Sequence, residues 1–194
     1  MRIPSSTRSR RVALLAAVGA AGAIAAPLYA IGPGEKPVKH AEATLVNAAG
    51  NAVGQVEFKQ EHDSVEVSGK VWGIPTGFHG FHVHTIGSCV GPAFTSAAGH
   101  FNPAAVSHDD HAGDMPVLLV QSDGTAQASF DTDRFSVDDL FDADGSAVIV
   151  HANADNYANI PTDRYDPDPD ATTLATGDAG PRIACGVVAT KHHK

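Results

Sequence analysis

Residues 77–89 read GFHGFHVHTIGSC, three imidazoles and a thiol within thirteen positions. His82 and His84 stand two apart, and in an extended strand such residues project from one face, so a single cation could take both. His79, Phe81 and Val83 then share the opposite face. An H-x-H pair alone reads equally well as half-buried strand histidines with satisfied hydrogen bonds, so the rest of the chain must decide. The chain has eleven histidines. His79, His82, His84, His100, His108, His111 and His151 fall at strand ends or in the first long loop. His40, His62, His192 and His193 lie at the edges, where exposed imidazole is the ordinary reading, although the KHHK tail invites stray metal. The loop GHFNPAAVSHDDHAGD offers His100, His108, His111 and Asp114, a tetrahedral donor set of the kind zinc takes. With neither thiolate nor vacancy, such a site is structural. His82, His84 and His151, with a shared claim on His100, form an all-imidazole set that suits copper. An open copper site of that kind is a redox site.

The elements that must position these residues are strands. Apolar and polar residues alternate in ATLVNAAG, VGQVEFK, SVEVSGKVW, FHGFHVH, MPVLLVQ, TAQASFD, AVIVHA and ACGVVAT. NAAGNA around Gly50 and SDGT around Gly124 supply hairpin-type turns. No helical period is sustained beyond a turn at SVDDLF. The sequence therefore predicts an all-β domain, an immunoglobulin-like Greek-key sandwich or barrel of about eight antiparallel strands. Two segments, 87–113 and 152–181, are long, rich in Gly, Pro and Asp, and poor in strand signals. Loops of that length in a domain are usually functional or disordered, and these two carry chemistry. The DPDPD run, 166–170, is a stiff strip of carboxylates and reads as a solvated spacer rather than a cation site.

Four arginines, Arg2, Arg8, Arg10 and Arg11, precede an uncharged run, 12–31, in the layout of an export signal. SRRVALL leaves a twin-arginine route open. The run is long enough to span a bilayer, yet it is rich in Ala and Gly and broken by Pro27. Cleavage near Ala26 or Ala30 is expected, with a retained anchor as the alternative and the only route to a membrane. The expected organisation is a leader or anchor at 1–30, a Gly/Pro linker at 31–40, and one domain at 41–194. Without the leader, nine basic side chains face twenty-two acidic ones, a formal charge of −13 with His neutral. Nucleic acid and anionic membrane surfaces are poor partners for such a chain. Cys89 and Cys185 are the two cysteines. In an exported protein two lone cysteines pair; free buried thiols are the alternative.

GFHGFHVHTIGSC, GHFNP, HAGD, VIVHANAD and GDAGPRIACGV resemble, in order and over about residues 41–190, the signature segments of the copper-zinc superoxide dismutases. The resemblance implies copper on His82, His84, His100 and His151, with His100 bridging as imidazolate to zinc on His108, His111 and Asp114. Asp155 matches the acidic residue that links copper and zinc ligands through hydrogen bonds, and such partners fix a ligand's tautomer. His79 matches a position that supports the strand beneath copper. Cys89 and Cys185 match the family's disulfide, and Arg182 the arginine that holds the anion beside copper. The implied activity is the conversion of superoxide to oxygen and hydrogen peroxide at copper cycling between Cu2+ and Cu+. His100 is implied to release copper and carry a proton in the reduced state.

Two features depart from the family pattern. Only Asp109 and Asp110 separate His108 from His111, a tighter loop than many members have, which leaves a merely solvated turn as the alternative to a zinc site. The second long loop carries Arg164 as its one base among several aspartates, so long-range steering of an anion is expected to be weak. A metal-storing protein on the same fold is the competing reading, and Arg182 argues against it, because a metal holder has no use for an anion-docking base. An adhesion or scaffold module leaves the histidines unexplained. Oligomeric state stays open, a homodimer included.

Overall fold

The computed structural model describes residues 37–161 and 169–191. The leader, most of the linker, Arg164, the greater part of the DPDPD run and the KHHK histidines lie outside the described residues.

Among the described residues ten strands occur: β1 (His40–Asn47), β2 (Ala52–Glu61), β3 (Ser64–Val71), β4 (Gly77–His79), β5 (Phe81–His84), β6 (Leu118–Val120), β7 (Ala126–Thr132), β8 (Ala147–His151), β9 (Arg182–Val187) and β10 (Ala189–Thr190). The eight alternating runs become ten strands because two of them break. FHGFHVH divides at Gly80 into β4 and β5, and ACGVVAT divides at Val188 into β9 and β10. β4 pairs with β6 in a small two-stranded sheet, whereas β5 pairs with β8 in the large one. His79 therefore does not share a continuous strand with Phe81 and Val83.

The large sheet is antiparallel and curled, in the order β5-β8-β9-β1-β2-β3-β7, with β10 also on β1. β1 holds two partners on one edge, Ala41 opposite Thr190 in β10 and Val46 opposite Cys185 in β9, while its ladder with β2 on the other edge shifts register between Leu45 and Val46. A late strand thus returns to flank the first, the Greek-key arrangement. The β1–β2 hairpin turns at Gly50 (φ +81°), and the chain turns from β6 to β7, in the other sheet, at Gly124 (φ +79°), left-handed conformations that glycine adopts without steric cost.

Where one face meets solvent, burial alternates. In β1, Ala41, Ala43 and Leu45 point inward, and in β3, Val65, Val67 and Val71 do so. β5 and β8 behave differently, since every residue in both is buried. Phe81, Val83, Val148 and Val150 face the main core. Ala147 and Ile149 face a second, smaller cluster with Phe94, Ala97 and Cys185, formed by the loop that follows β5. The two long segments are thus the outer cover of β5 and β8. SVDDLF forms a short 3-10 helix, Val137–Phe141, whose entry is fixed by the Asp139 carboxylate accepting from Ser136 N at 2.7 Å. The described part of the second segment holds an α-helix that the sequence pattern misses, α1 (Ala171–Thr176).

Candidate metal centre

On β5, Val83 uses both main-chain groups to stitch the first long loop alongside. Val83 N donates to Gly113 O at 2.9 Å, Phe101 N donates to Val83 O at 2.8 Å, and Gly113 N donates to Phe101 O at 2.8 Å. This brings His100 opposite His84 and Asp114 opposite His82. The approach requires glycine at 113, where a Cβ would lie 2.3 Å from Val83 O. Pairing of β5 with β8 sets His82 opposite Ile149, and His151 ends β8 at the same edge.

Two donor sets result. His82, His84, His100 and His151 present ligand atoms within 4.8 Å of one another, as do His100, His108, His111 and Asp114. All seven residues except Asp114 are buried as whole residues, and the Asp114 side chain is itself 2% exposed. The hydrogen bonds assign the ring atoms. His82 Nε2–H donates to Asp155 Oδ2 (2.6 Å), His84 Nδ1–H to Ala98 O (2.9 Å) and His151 Nδ1–H to Gly180 O (2.9 Å). The opposite nitrogen of each ring keeps its lone pair. The Nε2 atoms of His84 and His151 then face each other at 3.4 Å. Two acceptors buried at that separation need a cation between them. His100 Nδ1 lies 2.9 Å from Asp114 Oδ1 and 3.4 Å from His111 Nδ1, within the second set, which leaves Nε2 for the first.

This donor chemistry fits metal. Among the described residues, His82 Nδ1, His100 Nε2 and His108 Nδ1 are buried side-chain nitrogens without a hydrogen-bond partner. Buried polar atoms ordinarily have one, and a ligand atom awaiting its ion is an exception with a physical cause.

Asp155 joins the sets. Its Oδ2 accepts from His82 and its Oδ1 from His108 Nε2 at 2.9 Å, with Tyr157 N donating to Oδ1 at 2.7 Å. Gly177, the C-cap of α1 (φ +57°), lies so close that a Cβ there would be 1.8 Å from Asp155 Oδ1. His79 stands outside both sets, its ring between His151 O and Pro75 O at 2.8 Å each. Arg182, half-buried at the start of β9, donates to Phe94 O at 2.6 Å and also to Ala98 O, the carbonyl that holds His84. Cys89 and Cys185 form a disulfide that ties the loop to β9.

The electrostatics follow. Burial pushes His82 down to about 4 against the opposing pull of Asp155, and pushes His151 down to about 3, with His82 next in effect and the Arg182 charge adding to it. His84 sits well below the usual imidazole range through burial, then through His100. These rings are neutral, the form that binds metal. His108 is the reverse case: burial lowers it, but the Asp114 and Asp155 carboxylates override this and raise it to about 9. Burial raises both carboxyls, yet their histidine partners hold Asp114 and Asp155 well below the ordinary range.

Every member of both sets stands out in the sequence by residue type and spacing, whereas the carbonyls of Ala98 and Gly180, Tyr157 and Gly177 do not. Main-chain acceptors leave no trace in residue type. Gly177 had a signal, because the run from Asp170 to Gly177 has an N-cap residue at its start and a C-cap residue at its end.

Fold and site define a β-protein with two adjoining histidine-rich donor sets, each able to hold a cation. The description "Copper/zinc superoxide dismutase" belongs to the family model that matches residues 52–188, and the chain belongs to that family. A superoxide dismutase [Cu-Zn] of Mycobacterium tuberculosis is 40% identical over 153 residues, covering 71% of this chain and 64% of that protein. The chain thus spans under two thirds of that relative's length. The superoxide dismutase [Cu-Zn] of Legionella pneumophila is 33% identical over 181 residues, covering 90% and 92%. Among solved structures, a double mutant of a SOD-like protein from Bacillus subtilis superposes with a TM-score of 0.64 at 33% identity, covering 75% of this chain and 95% of that one. Copper and zinc are the family's metals, and the two sets hold donors of the type each takes.

Proposed function

We propose that the protein disproportionates superoxide, turning two superoxide anions and two protons into oxygen and hydrogen peroxide, and that it acts outside the cytoplasm. His82, His84, His100 and His151 would hold copper, and His100, His108, His111 and Asp114 would hold zinc. Bound copper supplies the one-electron couple for the two half-reactions. The observation that carries the reading is the sharing of His100 between two buried donor sets, with Arg182 beside the all-imidazole one.

Each residue then has a definite task. Arg182, fixed by two loop carbonyls, presents the rest of its permanently charged fork to a small anion. His100 Nε2 is the atom that can hold and hand over a proton, while Nδ1 stays engaged with Asp114. Asp155 fixes the tautomers of His82 and His108 together, so neither set can lose its geometry without disturbing the other. His79 supports the end of β8 through His151 O. The basic, apolar leader pattern and the disulfide support export into an oxidising compartment.

Metal analysis of the purified chain beside a superoxide-removal assay tests the reading. One copper and one zinc per chain with fast removal is expected. His151→Ala should lose copper and activity while keeping the fold, and Arg182→Ala should keep copper yet slow removal. A His151→Ala protein that removes superoxide at the full rate defeats the copper assignment, and unchanged kinetics in Arg182→Ala defeat anion docking.

A further inference from the structure

The turn between His108 and His111 contains just Asp109 and Asp110, and Asp109 is held at φ +62°, the left-handed region that residues with a Cβ seldom occupy. One hydrogen bond within the turn supports it, Asp110 N to Ser107 O at 3.1 Å. The stronger support comes from another part of the chain. Arg134, just after β7, reaches over with one guanidinium nitrogen, Nη1, donating to Asp109 O at 2.6 Å and to His111 O at 3.2 Å. Its Nη2 stands 3.9 Å from the Asp110 carboxylate, both groups being well exposed, a distance at which an ion pair adds little. The two carbonyls bracket the turn, and the second belongs to a member of the zinc-type donor set.

We propose that Arg134 is a metal-positioning residue, a clamp that fixes the short His108–His111 turn so that His111 meets the zinc-type set already aligned. The inference rests on the reading of His100, His108, His111 and Asp114 as that set. A turn this short has few internal hydrogen bonds, so the entropy of ordering it would otherwise be taken from the binding energy of the ion. A side chain that fixes the turn before the ion arrives removes that cost. Lysine reproduces the contact only in part, because its ammonium rides on a flexible stem and holds the two carbonyls with less preorganisation than the guanidinium does. Arg134 touches neither copper-type residues nor Arg182 in any hydrogen bond, so its effect should be confined to one set.

The test compares full-length wild type with Arg134→Ala, Arg134→Lys and His111→Ala. Zn2+ affinity is read by competition with a chromogenic chelator, and Co2+ placed in the same set is read by its visible absorption. Arg134→Ala should weaken Zn2+ by about 10–100-fold, the range typical for loss of a residue that orients a ligand, and should shift or weaken the Co2+ bands. Arg134→Lys should recover part of both. The copper content and the thermal midpoint of the metal-free protein should match wild type, which a merely structural role would not allow. Zn2+ affinity and Co2+ bands unchanged in Arg134→Ala, while His111→Ala abolishes both, overturn the clamp and leave the donor set standing. Unchanged Zn2+ binding in His111→Ala overturns the donor set and the clamp with it.

Discussion

His84 and His151 turn lone pairs toward each other across 3.4 Å, and His108 Nδ1 lies 3.1 Å from the Asp114 carboxylate without a hydrogen bond to it. At the scale of single residues, the centre is a set of acceptors that water is excluded from satisfying. The metal-free protein should therefore be sensitive to pH on both sides of neutrality. His82 and His151 are lowered to about 4 and about 3, so below the ordinary value of 6.5 the unfolded chain takes up protons that the fold refuses. Stability then falls as pH drops from 6.5 toward 4. His108 is raised to about 9; its contribution is complete below 6.5 and is lost as pH rises through 9. Denaturant midpoints of the metal-free chain should peak near neutrality, and a midpoint that climbs steadily on acidification to pH 4 contradicts this account. Asp155→Asn replaces an ion with an amide that must turn a donor toward one ring. It should cost about 10–100-fold in metal affinity, measurable by chelator competition.

At the scale of elements, the break at Gly80 is what lets β4 leave for β6 while β5 stays on β8. It also admits the second long loop, since Gly80 N donates to Asn153 O at 2.7 Å and His151 N donates to Gly80 O at 2.8 Å. A Cβ at 80 would lie 2.6 Å from the Ala179 Cβ. Gly80→Ala should destabilise the protein by about 1–3 kcal/mol, the usual cost of overfilling a close contact, seen as a lower urea midpoint with the slope unchanged. α1 shows how local rules act below the reach of periodicity. Six residues are too few for a helical period, yet Asp170 caps Thr172 N and Thr173 N at 2.8 and 3.0 Å, and Gly177 closes the other end. Asp170, the last residue of a carboxylate run that reads as solvent-facing spacer, has a structural task.

At the scale of the whole molecule, the Cys89–Cys185 bridge spans 96 residues and holds the outer cluster of Phe94, Ala97, Ala147 and Ile149 against β9. The paired Cys89→Ser, Cys185→Ser protein should lose up to about 4–5 kcal/mol, the chain-entropy value for a loop of that size, a large share of the ~5–15 kcal/mol typical of a domain. Charge acts over longer distances. The chain is acidic, formally −9, and among the described residues of 152–181 there is neither Lys nor Arg. Several aspartates there face inward or are engaged: Asp155 bridges the donor sets, and Asp178 accepts from Asn156 Nδ2 at 2.7 Å and Thr173 Oγ1 at 2.8 Å. On the proposed function, attraction of an anion would rest on Arg182 and the metals at short range. Superoxide removal should change little between low and physiological salt, because screening acts over ~10 Å at 0.1 M. A steep decline at constant copper content would show long-range steering instead.

The donor types, their order along the chain and the all-β class are legible in the residues alone, because strand alternation and imidazole chemistry are properties of neighbouring residues. His82 and His84 had to share a face once they lay in a strand, and His100, His108, His111 and Asp114 lie close enough in one loop to be grouped by eye. How residues far apart in the chain meet is visible in the folded molecule alone. The break at Gly80, the double cover of β5 and β8, the carbonyls of Ala98 and Gly180, and the reach of Arg134 to His111 all arise from main-chain contacts between segments. Those contacts depend on packing and register, which residue type alone does not encode.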